Sequence, residues 1–217
     1  MKENRDGEIA EKAMKERSVI GLMVSLTIWV TASSSVLAQS QRYPTNAELR
    51  RLLRTFNTVP SSVNSGTEDR RTLSEKRSLE SFVTSWSRVN PAVAPFLGQW
   101  GGIEASISIF PSNVRGRVCI IFIGYEGDLS SADFDIGNVS NGQIRTSRSF
   151  GRALIIRQGN RLGLAGIYRN GADISAYEFP RPLRIPTNSS LLNLPNASRI
   201  IQQFNAAGCR TSLPNRR

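Results

Sequence analysis

The chain has 217 residues, with 28 Lys and Arg against 17 Asp and Glu, a formal net charge of +11 and no histidine. The absence of histidine excludes Ser-His-Asp and Cys-His catalysis, zinc sites with histidine ligands and histidine general acid–base catalysis. The positive charge favours contact with anions. Net charge, however, bears on solubility and non-specific contact, and it does not by itself indicate a binding site.

An apolar segment near the N-terminus has the layout of a secretory signal peptide. The uncharged run of 12 residues, Val19–Val30, follows basic residues and precedes the small-residue stretch TASSSVLA. A retained membrane anchor is the alternative, but a membrane-spanning helix needs about 20 apolar residues. We therefore predict translation from Met14, cleavage after Ala38 and export to the periplasm or the extracellular space. Residues 39–217 then carry the whole net charge, and Lys76 is their only lysine.

Two helices are predicted in the N-terminal region, residues 39–92. Thr45 or Asn46 can cap a helix with the sequence NAELRRLLRTFN, whose apolar residues recur at helical spacing. A second helix is predicted to begin near Thr72, which can form a capping box with Glu75. Its aromatic stripe favours packing in a core over lining a ligand cavity. The pair Asn90-Pro91 is predicted to end this helix.

Residues 93–217 are predicted to form an antiparallel β domain with a C-terminal helix. Beyond Pro91 the apolar period changes to two in the segment 103–109, which is typical of a half-buried strand. The continuous apolar run Val118–Ile123 is typical of a central strand that is buried on both faces. Hairpin turns are predicted at Asn141-Gly142, Gly159-Asn160 and Asn170-Gly171.

The turns also predict which strand positions face each other. Counting from Asn141-Gly142 pairs Val139 with Ile144, and it pairs Asp135 with Arg148 as a cross-strand ion pair. Both faces of the later strands are apolar. One face is therefore expected inside the fold, and the other is expected beneath the helices or a second sheet.

A short C-terminal helix is predicted to have Asn196 as its cap and to end at Gly208. The two cysteines of an exported protein are expected to pair, so a disulfide between Cys119 and Cys209 would fasten this helix to the sheet. In the chain-entropy model, closing a loop of about 90 residues contributes on the order of 4 kcal/mol to the free energy of unfolding.

The run Gly98-Gln99-Trp100 lies just before the first predicted strand of a meander that ends in a helix. This run resembles the G-x-W start of lipocalins and related small-ligand barrels, and a cysteine that joins the sheet to the C-terminal region is also similar to that group. The resemblance covers Phe96 to Cys209 in layout, and it implies a small-ligand barrel. The chain departs from it in its short strands and in the helices before the sheet. A smaller barrel with a filled interior is the alternative.

The predicted fold class is α+β. It has two N-terminal helices, an antiparallel meander of about seven strands that forms a barrel or a strongly curled sheet, and one C-terminal helix.

Carboxylates and arginines are the charged candidates for a site. Asp133 and Asp135 lie two apart on a strand and could serve a carboxylate-based hydrolase, although solvated or ion-paired carboxylates are the commoner arrangement. The segment DFDIGN does not match an EF-hand loop, and no metal site is predicted. The register divides the arginines of the sheet between the two ends of the strands. The candidate anion-binding residues are Arg145, Arg148, Arg157 and Arg161.

The sequence favours an exported, non-enzymatic binding protein. Its ligand would be a small apolar molecule or a protein partner, held on or in the sheet. The candidate lining residues are Trp100, Phe122, Tyr177 and Phe179. The alternative is a periplasmic or surface protein that binds an anionic polymer through arginines, and a carboxylate-based hydrolase ranks third.

We predict no cofactor and no stable membrane insertion after cleavage of the signal peptide. We also predict no nucleic-acid partner, because a phosphate track needs clustered cations and stacking aromatic side chains, and because export removes the protein from nucleic acid.

Overall fold

The structure is a computed structural model, and it describes residues 42–58, 69–102, 105–126, 129–146, 149, 151–168, 170–188 and 190–214. The predicted signal peptide and Arg148 lie outside these residues. Export, cleavage after Ala38 and the ion pair between Asp135 and Arg148 therefore stay predictions.

Three α-helices lie in the described part of the chain: α1 is Asn46–Thr58, α2 is Leu73–Ser87 and α3 is Ala197–Ala206. A short 3-10 helix, η1, covers Ala94–Phe96 and leads into the sheet. The strands are β1 Gly98–Gly101, β2 Ala105–Pro111, β3 Arg117–Glu126, β4 Leu129–Ser140, β5 Gln143–Arg145, β6 Leu154–Gln158, β7 Arg161–Tyr168 and β8 Gly171–Arg181.

The helix ends follow from local sequence, with one exception. The predicted capping box of α2 is confirmed, because Thr72 Oγ1 accepts from the Glu75 amide at 3.1 Å and the Thr72 amide donates to Glu75 Oε2 at 2.7 Å. At α3 the predicted side-chain cap is wrong. Asn196 precedes the helix, but its Nδ2 donates to the Ala132 carbonyl at 2.6 Å and so fastens the helix start to β4.

The eight strands form one closed antiparallel barrel in sequence order, in which β1 pairs with both β2 and β8. The predicted antiparallel meander is confirmed, but it has one strand more than expected. The additional strand is β1, which contains Gly98-Gln99-Trp100 and pairs Gln99 with Arg181. The G-x-W run therefore does not precede the sheet. It is the strand that closes the barrel.

The predicted strand register is confirmed at two hairpins and shifted at the third. Val139 faces Ile144, and Arg157 faces Leu162, as the first two turns require. At the third hairpin Tyr168 pairs with Gly171, whereas a turn at Asn170-Gly171 would pair it with Asp173, so each partner is shifted by two residues from the predicted register. Gly171, with φ +107°, begins β8.

Apolar side chains fill the barrel interior. Trp86 of α2 and Phe96 of η1 belong to the same buried cluster and cover one end of the barrel, which we call the plugged end. The filled interior matches the smaller closed barrel that was the alternative to a lipocalin-like calyx. The interior side chains that are at most 1% exposed are Trp100, Ile107, Ile109, Val118, Ile120, Ile144, Ile155 and Leu162.

The outer faces of the barrel are covered by helices, as the apolar pattern of both faces predicted. Helix α3 packs on the outer face of β2 to β4, where the rings of Phe110 and Phe204 meet edge to face with centroids 4.9 Å apart. Helix α1 packs on β7 and β8 through Leu52, which lies in one cluster with Leu154 and Ala165. Burial of these faces is the main favourable contribution to the stability of the helices.

The predicted disulfide between Cys119 and Cys209 is confirmed. Cys119 lies on the outer face of β3 and is fully buried, whereas Cys209 follows α3 and is half-buried. The bond joins β3 to the start of the C-terminal segment.

Candidate functional site

A depression with a volume of about 850 Å³ lies on the surface beside the plugged end. We call it the arginine groove. Three separate parts of the chain form its walls, namely the end of α2, the turn between β2 and β3, and the C-terminal segment after Cys209. Its lining residues are Ser85, Trp86, Arg88, Val89, Asn90, Ser112, Asn113, Arg115, Arg210, Ser212, Leu213 and Pro214.

The C-terminal wall is fixed by backbone bonds to the turn between β2 and β3. The Asn113 amide donates to the Gly208 carbonyl at 2.9 Å, and the Arg210 amide donates to the Pro111 carbonyl at 2.8 Å. Gly208 has φ +69°, and a Cβ there would lie 2.4 Å from Asn113 Oδ1, so only glycine fits without rearrangement. These bonds and the disulfide hold the C-terminal segment against the barrel.

A tryptophan joins the wall formed by α2 to the C-terminal wall. Trp86 Nε1 donates to the Ser212 carbonyl at 3.2 Å, while the ring of Trp86 is 6% exposed in the plug of the barrel. The groove therefore has walls that are positioned before any ligand binds.

Three guanidinium groups converge on the groove. Arg88 directly follows the end of α2, Arg115 lies in the turn between β2 and β3, and Arg210 directly follows Cys209. All three side chains are exposed, and none of them makes an ion pair or side-chain hydrogen bond with another described residue. The lining contains no Asp or Glu. The groove is therefore a concentration of positive charge without internal compensation, the electrostatic arrangement that attracts an anion.

Two of the arginines predicted from the sequence to bind anions pack against aromatic rings. The Arg145 guanidinium lies 5.2 Å from the ring centroid of Tyr43. That of Arg157 lies 5.7 Å from the Trp100 ring and donates to the carbonyls of Gly159 and Pro95. Burial lowers the pKa of the Arg157 guanidinium. Arg157 thus connects η1 to the barrel.

Arg161 is also engaged inside the molecule. Its Nη1 donates to the Phe56 carbonyl at 2.9 Å, its guanidinium lies 4.5 Å from the Phe56 ring, and its Nε lies 3.0 Å from Glu178 Oε1. Arg161 thus satisfies the Phe56 carbonyl in the last turn of α1. The fourth predicted arginine, Arg148, lies outside the described residues. The sequence therefore selected arginines of the sheet, whereas the groove uses arginines of loops and segment ends.

The predicted aromatic lining is divided between two places. Trp100 and Tyr177 belong to the interior cluster, and Phe122 is half-buried and packs against it. Trp100 Nε1 donates to the Phe96 carbonyl at 2.9 Å, so this ring is both packed and hydrogen-bonded. Phe179, with φ +50°, lies at the barrel closure, where the Arg71 guanidinium is 5.7 Å from its ring centroid.

The two aspartates of β4 differ in burial. Asp135 is fully buried opposite Ile120, and its Oδ1 accepts from the Ile136 amide at 2.7 Å. Asp133 is half-buried opposite Phe122; burial raises the pKa of its carboxyl, and the charge of Arg199 partly offsets that effect. Within the described ranges, no group of three or more His, Cys, Asp or Glu side chains is arranged to hold a metal ion.

A second pocket, of about 470 Å³, lies between η1 and the turns after β4 and β6. Arg157 is its one charged lining residue, and the carbonyls of Gly159 and Pro95 already accept from that side chain. The arginine groove has the greater capacity to bind a charged ligand, because its three guanidinium groups are paired with no other described side chain.

One signal in the sequence could have pointed to the groove. If Cys119 and Cys209 are joined, Arg210 must lie near the start of β3 and therefore near Arg115. The position of Arg88 depends on how α2 packs over the barrel end, and no local pattern reports that.

Comparison with protein-family models finds no matching family, and searches of curated proteins and of solved structures find no match. Among the residues that the structure describes, no helix combines the length and apolar character needed to cross a membrane.

Proposed function

We propose that the protein is an exported, non-enzymatic binding protein that holds an anionic ligand in the arginine groove. The observation that carries the proposal is the convergence of Arg88, Arg115 and Arg210 in a groove whose lining has no carboxylate. Arginine suits this role because its planar guanidinium can bind a phosphate, sulfate or carboxylate through two hydrogen bonds. The disulfide is consistent with the oxidising compartment that export would provide.

The structure favours the groove over the interior of the sheet as the binding surface. A β-barrel is consistent with a small binding protein, and the sequence suggested an apolar ligand beside Trp100, Phe122, Tyr177 and Phe179. Trp100 is fully buried and Tyr177 is 5% exposed, so their surfaces are already occupied by the protein's own core. Hydrolysis through Asp133 and Asp135 has less support, because Asp135 is fully buried.

Chromatography on immobilised heparin, which serves as a model anionic polymer, tests the proposal. The triple variant Arg88→Gln, Arg115→Gln, Arg210→Gln should bind about 10- to 100-fold more weakly than the wild type at low salt, since each exposed ion contact contributes up to about 1 kcal/mol. The difference should shrink as salt screens the charges.

A matched variant separates the groove from the general positive charge. Arg50, Arg51 and Arg54 are exposed on α1, away from the groove lining. Their triple replacement by Gln removes the same charge and should leave most of the heparin affinity. Equal losses in the two triple variants, both with wild-type thermal unfolding, would show that net charge and not the groove binds the polymer.

A further inference from the structure

Exposed aliphatic side chains accompany the arginines of the groove. Val89 is 51% exposed and follows Arg88, Val114 is 42% exposed and precedes Arg115, and Leu213 is 53% exposed in the segment after Arg210. They are three of the seven large hydrophobic side chains that are markedly exposed among the described residues. Val89 and Leu213 line the groove, and Val114 lies in the turn that carries Arg115, so each of the three segments that form the groove carries an arginine and an exposed aliphatic side chain.

This combination is more than a soluble polyanion requires. Charge alone would bind such a polymer, and an aliphatic side chain that stays in water contributes nothing to its binding. Exposed apolar groups that gather at one charged place commonly mark an interaction surface with an apolar component. The surface of an anionic bilayer offers both components, because phosphates lie at the headgroup level and the acyl boundary lies about 5–10 Å below it.

We propose that the arginine groove docks on the surface of an anionic phospholipid bilayer. Arg88, Arg115 and Arg210 bind lipid phosphates, while Val89, Val114 and Leu213 reach the acyl boundary. This inference rests on the proposed anion-binding function and names its ligand. Docking is peripheral, so it agrees with the prediction that the exported protein has no stable membrane insertion.

The construction of the groove suits such a surface. Its walls are held in place by the disulfide, by the bond between Trp86 and Ser212 and by the backbone bonds of Asn113 and Arg210. Little conformational entropy is lost when prearranged groups bind. Attraction of the arginines to an anionic surface contributes about five-fold in partition coefficient for each residue near the headgroups.

Co-sedimentation with lipid vesicles tests the proposal on the chain without its signal segment. Wild-type protein should bind vesicles that contain phosphatidylglycerol and should not bind vesicles of phosphatidylcholine alone. The arginine triple variant should lose on the order of 100-fold in partition coefficient. The aliphatic variant Val89→Ser, Val114→Ser, Leu213→Ser should lose about ten-fold or more, since each side chain would forfeit its apolar contact with lipid.

A control variant replaces Leu73, Ile185 and Leu192 with Ser, because these aliphatic side chains are 49–63% exposed outside the groove lining. It should bind phosphatidylglycerol vesicles as the wild type does. The groove aliphatic variant should still bind heparin, since its arginines remain. All six positions are exposed, so these variants should fold, and circular dichroism checks that they do.

The outcomes separate the two proposals. Wild-type binding to heparin without binding to vesicles, or vesicle binding that the groove aliphatic variant keeps in full, would overturn lipid docking and leave the anion-binding function standing. Binding to polyglutamate in place of vesicles, with the same dependence on the aliphatic groups, would assign an acidic protein partner instead of lipid. Binding to none of these probes would overturn both proposals.

Discussion

Burial in the barrel changes the pKa of the Tyr177 phenol. Its ring is 5% exposed, faces Leu162 across β7 and β8 and belongs to the interior cluster. Burial, with a smaller contribution from Tyr168, raises the pKa of Tyr177 to about 12. The neutral phenol is therefore favoured in the folded state.

This shift predicts a loss of stability in alkali. In the unfolded chain the phenol ionises at about pH 10. Between that pH and the pKa of the folded state, the unfolded chain has already released the proton that the folded protein still holds. The free energy of unfolding therefore falls as the pH rises through this window. The loss should amount to about 2–3 kcal/mol of unfolding free energy across the window. Urea unfolding at pH values from neutral to strongly alkaline measures it. Tyr177→Phe should flatten the decline, and an identical decline in that variant would contradict the assignment.

Gly137 shows how little free space the interior leaves beside β4. It pairs with Val118, and a Cβ at Gly137 would lie 2.2 Å from Ile144 Cγ2 and 3.0 Å from Val118 Cγ2. Even one methyl group therefore requires displacement of buried side chains.

Gly137→Ala should reduce the free energy of unfolding by about 1–3 kcal/mol, the usual cost of overpacking a core. Denaturant unfolding measures the change. Gly101→Ala is the matched control, because the nearest atom to its Cβ would be the Glu178 carbonyl oxygen at 3.9 Å. The control should stay within about 0.5 kcal/mol of the wild type. Equal effects at both positions would mean that glycine flexibility, and not interior packing, sets the cost.

At the scale of elements, α3 and the segment after it act as one unit. Ile200 and Phe204 bury the helix against the outer face of β2 to β4, and Cys209 then joins the chain to Cys119. The same connection brings Arg210 to the turn that carries Arg115. The disulfide therefore stabilises the fold and also positions one wall of the arginine groove.

Removal of the disulfide should affect both properties. Cys119→Ala with Cys209→Ser should lower the free energy of unfolding by on the order of 4 kcal/mol, because the cross-link closes a loop of about 90 residues. Heparin affinity should fall toward that of Arg210→Gln, since the segment with Arg210 loses one of its attachments. Wild-type protein in reductant should behave as the variant does. Unchanged heparin elution in the reduced protein would show that the backbone bonds alone position this wall.

At the scale of the whole molecule, the barrel is closed and filled, and its helices lie outside it. Helices α1 and α3 cover different outer faces, while α2 and η1 cover the plugged end. Trp100 and its neighbours occupy the interior, and the anion-binding site proposed for the protein lies at the surface, where α2, a strand turn and the C-terminal segment meet. The function proposed for the protein follows from this division between a packed interior and a charged edge.

The features that depend on nearby residues were predictable from the sequence. The helical repeat located α1 and α2, Thr72 and Glu75 marked a helix start, and Asn141-Gly142 set the pairing of β4 with β5. Each of these rests on sterics or hydrogen bonds between residues a few positions apart, which pattern and turn chemistry report directly. The disulfide was also predictable, because the chain has two cysteines.

The contacts between distant segments could not be predicted from the sequence and became visible only in the folded molecule. Strand β1 has four residues, Gly98–Gly101, and this is too short for a periodic pattern to predict a strand. The pairing of Gln99 with Arg181 and of Gly101 with Glu178, at the far end of the sheet, completes it as a barrel strand. Likewise Arg157 and Arg161 are committed to carbonyls and rings of other segments, while Arg88, Arg115 and Arg210 come together from three parts of the chain. Long-range packing selects these contacts, and no local sequence pattern encodes them.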